Sequence, residues 1–500
     1  MSTTPSQSEK SLPSPGCLPE WGQAELPAPP PYSLGNAIKL IGPAAIALGT
    51  AIGSGEWLLG PAVTVKYGAA LLWIASISII LQVILNQEMM RYTIATGEPI
   101  FTGFLRTKPG PVFWGGCYTF LMFIQIGWPG WALAGATAIT AAFKGSMPLE
   151  ADKAVVLNWG YVTFFLSIAI IATGGKIEKT LERVQWFMIA WILIFLLIVG
   201  VFYTSLAVWG KVVFGFVGLG GRAIPKPEDF VLLASFAAVA GMGGLGNGTI
   251  TNWVRDKGWG MASTVGHISG LIGGKQLPLP QVGNRFALTS ENFARFKEWM
   301  RYIRFEQTWI FGVGCFLGMG LPALMTLQFV PAGANIIGDW GTATYQAQGL
   351  QAKFGQIAWF LTLLNGFWIL FSTQLGNTDI FCRTVTDMLW STHPKIQRWA
   401  KEDIRRVYFT VLAAFTLFGI WAIRQATPGQ LIVLSGITAV FNFIVLALHV
   451  IYVHRRFLPK ELRMSAVREL LILLFAALFL MFLVASIWAK WSDILKAFGL

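Results

Sequence analysis

Charge is scarce in this 500-residue chain: Asp, Glu, Lys and Arg together make up 12% of it, about half the share a soluble domain carries. Histidine is scarcer, with four residues, and the four cysteines, Cys17, Cys117, Cys315 and Cys382, stand far apart with no Cys-x-x-Cys or Cys/His spacing. That spacing excludes a zinc site and a disulfide framework. No His-Glu-x-x-His run, Gly-x-Ser-x-Gly elbow or phosphate-binding loop occurs, so hydrolytic and ATP-driven chemistry have no foothold, and neither an enzyme nor a bound cofactor is expected. What is abundant is apolar: 55% of the residues are hydrophobic, and the chain reads as an all-α polytopic membrane protein.

Spanning helices need about 20 mostly apolar residues. Eleven segments qualify, near 36–66, 68–92, 112–143, 154–174, 182–209, 229–254, 304–330, 355–382, 404–424, 428–453 and 466–490. Residues 1–32 hold eight of the 24 prolines and no apolar core, so they read as a disordered cytosolic tail rather than a signal peptide. Residues 33–453 then form a ten-helix core, and 454–500 add the eleventh helix.

The net charge of +13 follows from topology. With the N-terminus inside, 27 of the 37 Lys and Arg fall on the cytosolic side, a positive-inside bias that needs no nucleic-acid partner. On composition alone the expected partner is membrane lipid. The expected location is the plasma (inner) membrane, N-terminus cytosolic and C-terminus outside. In the richest inner loop, 255–304, Phe293, Arg295, Phe296, Lys297, Trp299, Met300, Arg301 and Arg304 suit an interfacial helix or a solvated basic loop equally.

Dense glycine interrupts the first and sixth segments, at Gly53-Ser54-Gly55-Glu56 and at Gly241-Met242-Gly243-Gly244-Leu245-Gly246-Asn247-Gly248. Two units of five helices, each opening on a broken one, run in opposite directions because five is odd. This predicts an inverted-repeat secondary transporter of the LeuT type, with its site between the breaks. A carboxylate near the membrane centre costs roughly 2.5–3.5 kcal/mol on insertion scales, so Glu56 needs a cavity, an ion or a partner. Backbone carbonyls at Gly53 and Gly244, the Glu56 carboxylate and the Asn247 amide oxygen suit a hard divalent cation. Ser54 and Asn442 join them as candidate substrate contacts. Other uses stay open: Glu56 can bond helix N–H groups freed by the break, Asn247 can cap the second half-helix, and Asn442 can join helices. Gln374, Asn377, Thr378 and Asp379 form a polar run in segment 8 that lines an exit path or reaches the interface. Glu88 and Glu306 can pair with Arg91 and Arg304. His267, His393, His449 and His454 are not placed for a midplane proton relay.

Lys66-Tyr67-Gly68-Ala69-Ala70-Leu71-Leu72-Trp73, Ile94-Ala95-Thr96-Gly97 and Leu431-Ile432-Val433-Leu434-Ser435 resemble stretches at the same spacing in the natural resistance-associated macrophage protein (NRAMP) family of divalent metal transporters. The resemblance runs from segment 1 to segment 10 and implies the LeuT-type fold and divalent-metal transport. It also marks departures. The family's Asp-Pro-Gly-Asn matches Gly53-Ser54-Gly55-Glu56, which moves the acid by three residues, about one helical turn. Its Met-Pro-His-Asn matches Gly244-Leu245-Gly246-Asn247, which keeps the amide and loses the thioether. The proton-coupling acids of segment 3 match Gln125-Ile126-Gly127-Trp128-Pro129-Gly130-Trp131, and Thr251 stands where a second histidine would be, so proton coupling does not carry over. The expected function is therefore transport of a divalent cation of the Mg²⁺ or Mn²⁺ class through an altered site. Alternatives are an organic-solute symporter on the same fold, or a non-transporting sensor that uses the 255–304 loop.

Overall fold

The computed structural model describes residues 14–491, apart from 174–175, 270–278, 338–339, 342 and 393, so His393 lies outside the described residues. Regular structure is helical except for one short parallel pairing, Gly22–Gln23 with Asn284–Arg285. Eight helices among the described residues are each long and apolar enough to cross a membrane: Trp73–Thr96, Glu150–Ala172, Ile177–Tyr203, Ser290–Phe329, Gln356–Thr392, Ile404–Ala422, Pro428–Phe457 and Ala466–Ala489. They correspond to segments 2, 4, 5, 7, 8, 9, 10 and 11.

Segments 1, 3 and 6 are interrupted. Segment 1 bends by 64° between Leu34–Leu40 and Pro43–Tyr67. Within the second part, a regular helix over Pro43–Ala51 gives way to a π-helical turn over Gly55–Leu59. Segment 6 is Phe230–Val239 and Gly246–Lys257, joined through Gly243 and Gly244 at φ +74° and +54°, a left-handed conformation that glycine adopts freely. Segment 3 is Pro111–Ile126 and Gly130–Lys144, broken where Pro129 can donate no backbone N–H. The Gly127-Trp128-Pro129-Gly130 signal for that third break is visible in the sequence, although only two breaks were expected.

Burial sorts the segments. Segments 4, 5 and 11 bury 33% of their most apolar window and segment 9 buries 39%, against 78% for segment 2 and 72% for segment 7. The first four form the lipid-facing rim, and segments 2 and 7 belong to the core that holds the breaks. Segment 8 runs through the middle, packing on segments 1, 3, 4, 5, 6 and 9.

Two expectations need correction. Residues 290–305 are not a separate interfacial helix or solvated loop: they extend segment 7 without interruption, and their apolar face, Phe296, Trp299 and Met300, is buried. Residues 14–32 are not a free tail. Proline cannot donate, but its carbonyl accepts, and this run docks through its carbonyls: Arg106 Nη1 donates to Pro15 O and Pro19 O at 2.9 and 2.8 Å, Trp299 Nε1 to Pro27 O at 2.9 Å, and Tyr302 Oη to Pro30 O at 2.9 Å.

Candidate functional site

The two glycine-rich breaks meet. A Cβ added to Gly55 would lie 2.2 Å from the carbonyl oxygen of Val239, the last residue of the first half of segment 6, so only glycine allows this crossing. A Cβ on Gly53 would lie 1.9 Å from Thr373 Oγ1 on segment 8, and that hydroxyl donates to Thr50 O at 2.9 Å.

Glu56 is fully buried. Its Oε2 accepts the Gly53 N–H at 2.8 Å, so it binds an N–H freed by its own break. Its Oε1 has no donor among the described residues. The side chain turns toward segment 7, where a Cβ on Gly318 would lie 3.5 Å from Glu56 Cγ. Glu306 makes the matching contact at the other end of this stretch: it accepts the Gly42 and Ala44 N–H groups at 2.9 Å each, capping the helix that begins at Pro43 rather than pairing with Arg304.

Gln125 organises the segment 6 break. Its Nε2 donates to Gly243 O at 2.9 Å, and its Oε1 accepts from Leu245 N at 3.2 Å and from Asn442 Nδ2 at 2.6 Å. Asn247 faces segment 2, donating to Gln82 Oε1 at 3.1 Å and Asn86 Oδ1 at 2.9 Å. Ser78, Gln82 and Asn86 recur every four residues, one helical face, and Ser78 Oγ donates to Ala237 O at 2.6 Å. This stripe was the missed signal for segment 2.

Between the breaks lies a cavity of about 20 Å³, lined by Thr50, Ser54, Gln125, Trp131, Met242 and Asn377 among others. Ser54 Oγ accepts from Trp131 Nε1 at 2.9 Å. Of the six residues expected at the site, Ser54 alone is among those lining this cavity. Glu56 and Asn247 sit on the breaks but turn to segments 7 and 2, Gly53 and Gly244 form the breaks, and Asn442 is reached through Gln125. A thioether is present after all, since Met242 faces the cavity two residues before the position expected for one. In segment 8, Asn377 is a lining residue, whereas Asp379 leaves the site to bind Trp253 and Tyr408 at 2.9 and 2.7 Å. His449 is held by Tyr118 and Thr107, and His454 by the Glu88 carbonyl. Among the described residues, no three His, Cys, Asp or Glu side chains cluster so as to hold a metal ion.

No protein-family model matches the chain, and no curated protein matches it in sequence. Solved structures match it in shape. A single-substitution mutant of the manganese transporter of Eremococcus coleocola aligns with a TM-score of 0.60 and 14% identity, over 95% of this chain and 91% of that one. The same transporter bound to an aromatic bis-isothiourea compound aligns at 0.58 and 14%, over 99% and 92%. The chain has the LeuT-type transporter fold. Its two inverted five-helix repeats open on the broken segments 1 and 6, and segment 11 lies outside them.

Proposed function

We propose that this protein is a secondary transporter that carries a divalent metal cation across the membrane by alternating access, with the cation held between the breaks of segments 1 and 6. One observation carries the reading: among the described residues, Glu56 Oε1, Asn247 Oδ1 and Asn442 Oδ1 are buried oxygens with no donor, and they surround the crossing of the breaks on the sides of segments 7, 2 and 3, next to the cavity rather than lining it. A buried acceptor without a donor is costly, and a cation, which hard oxygen ligands suit, would relieve it. The cavity adds a size argument. At about 20 Å³ it has room for roughly one water-sized occupant, far below the ~300 Å³ at which organic-ligand pockets begin. The Met242 thioether favours a transition metal over an alkaline earth, and one of the structural neighbours is a manganese transporter, so Mn²⁺ ranks ahead of Mg²⁺. The N-terminus inside and the C-terminus outside follow the distribution of Lys and Arg, and a plasma-membrane location completes the proposal.

Reconstituted protein should take up Mn²⁺, and Glu56→Gln should lower uptake about tenfold or more, a loss of at least ~1.4 kcal/mol of binding. Unchanged uptake in that variant would remove Glu56 from the site, and no flux of any divalent ion would overturn the reading. Because segment 3 presents Gln125 where an acid would relay protons, a pH dye inside the same liposomes should stay constant during uptake.

A further inference from the structure

A second cavity, about 530 Å³, lies away from the breaks, between the first half of segment 3 and the end of segment 8. Its walls are apolar: Phe120 and Phe123 on one side, Phe381, Met388 and Leu389 on the other. Phe120 is 61% exposed and Val112, at its end, 68% exposed, so the groove opens sideways on the membrane-facing surface. Two glycines shape it differently. A Cβ on Gly115 would meet Thr392 Oγ1 at 2.8 Å, whereas a Cβ on Gly116 would have no atom within 4 Å. Gly115 lets the helices touch, and the missing side chain at Gly116 leaves the space.

The groove ends at Thr392 and at Ile396 of the short helix Pro394–Trp399. Two exposed cations flank that end in sequence, Arg398 on this helix and Lys108 just before Pro111. Neither side chain has a hydrogen bond or ion pair among the described residues. Trp114 Nε1 donates to Lys108 O at 3.0 Å, and Trp399 is 58% exposed. Tryptophan beside Lys and Arg marks the headgroup level of a bilayer, and basic pockets between spanning helices recognise anionic headgroups.

We propose that this groove binds one anionic glycerophospholipid, with an acyl chain along Gly116 and the phosphate at Lys108 and Arg398. The size of the groove, its apolar walls and its sideways opening match that single ligand. The chain positions of the two cations, Lys108 three residues before Pro111, whose carbonyl accepts from Thr392 at 3.4 Å, and Arg398 two residues after Ile396, bring positive charge to the end where its phosphate would lie.

Native mass spectrometry of the full chain in mild detergent, titrated with phosphatidylglycerol or phosphatidylcholine of identical chains, tests it. The wild type should retain phosphatidylglycerol preferentially. Gly116→Phe, which fills open space, should reduce retention of both lipids about tenfold, the loss of ~1.4 kcal/mol. Lys108→Ala with Arg398→Ala should leave phosphatidylcholine binding intact and lower phosphatidylglycerol binding about fivefold per cation, from roughly 1 kcal/mol for each Lys or Arg. An unchanged unfolding temperature would show that each variant is folded. The proposal is overturned by equal retention of both lipids in the wild type, by unaltered retention in folded Gly116→Phe, or by a dimer that Gly116→Phe dissolves, since the groove would then be an interface between copies.

Discussion

At the scale of single residues, the crossing of segments 1 and 6 depends on what glycine leaves out. A methyl group on Gly53 would overlap Thr373 Oγ1, and one on Gly244 would lie 2.4 Å from Gln125 Oε1 at a φ of +54°. Gly53→Ala and Gly244→Ala should therefore each destabilise the protein by about 1–3 kcal/mol, as overpacking and left-handed strain do, and remove Mn²⁺ uptake. Gly116→Ala, which meets nothing, should stay within about 0.5 kcal/mol of the wild type. Unfolding midpoints in detergent would show the difference, and equal midpoints for all three would disprove the crowding at the breaks. Gly53, Glu56 and Asn247 are legible in the sequence because glycine, an acid and an amide are each conspicuous in a lipid-length helix. Gln125 is less so: a neutral amide in segment 3 gains its role only when Gly243, 118 positions away, comes within 2.9 Å.

At the scale of elements, the docked run 14–32 behaves as a strap. It ties the loop after segment 2 to the 283–285 turn, and both to the extension of segment 7. Trp21 lies between two guanidinium groups, 3.6 Å from that of Arg106 and 3.4 Å from that of Arg285. Beneath it, Glu98 accepts from Arg106 at 2.5 Å, from Tyr92 Oη at 2.6 Å and from Gly283 N at 3.0 Å. Burial alone would raise the Glu98 pKa, but the Arg106 charge and these hydrogen bonds outweigh it and hold it below the usual 4.5. Burial pushes Arg285 down to about 10, so all three groups are charged at neutral pH. A depressed carboxylate contributes stability that is present above its unfolded pKa and lost as pH falls through the folded one. The strap should thus stay docked at pH 7 and loosen only below about pH 4. A spin label on exposed Cys17 in a Cys117→Ser background would report this as rising mobility, and Trp21→Ala, which loses about 1–2 kcal/mol of cation–π attraction, should raise mobility already at pH 7. No change in either case would mean that Trp21 and Glu98 do not hold the strap. The strap escapes a sequence reading because proline-rich composition suggests disorder, while the carbonyls that dock it carry no side-chain signature.

At the scale of the whole molecule, a buried group of five charges lies where the second half of segment 6 meets segment 8. Arg255 binds Asp387 at 2.7 Å and Asp256 at 2.8 Å. Arg383 binds Asp379 at 2.8 Å and also Asp256, and Asn252 donates to Asp387. Two guanidinium groups thus face three carboxylates, all at most 4% exposed. The segments are legible from apolar length and the breaks from glycine, but this network joins positions up to 135 apart, and each charge read alone resembles a loop residue. Its size sets the last prediction. Removing one partner of a buried pair costs about 3–5 kcal/mol. Arg383→Met takes the cation from Asp379, leaving it Trp253 and Tyr408, and one of two cations from Asp256, which keeps Arg255, so it should destabilise the protein by about that amount and lower the unfolding midpoint. Arg383→Lys keeps the charge but cannot span Asp256 and Asp379 in a planar fork, so it should fall between Arg383→Met and the wild type. The order of the three midpoints is the test: if Arg383→Met matches the wild type, the carboxylates do not need Arg383, and the network cannot be what holds segment 6 to segment 8.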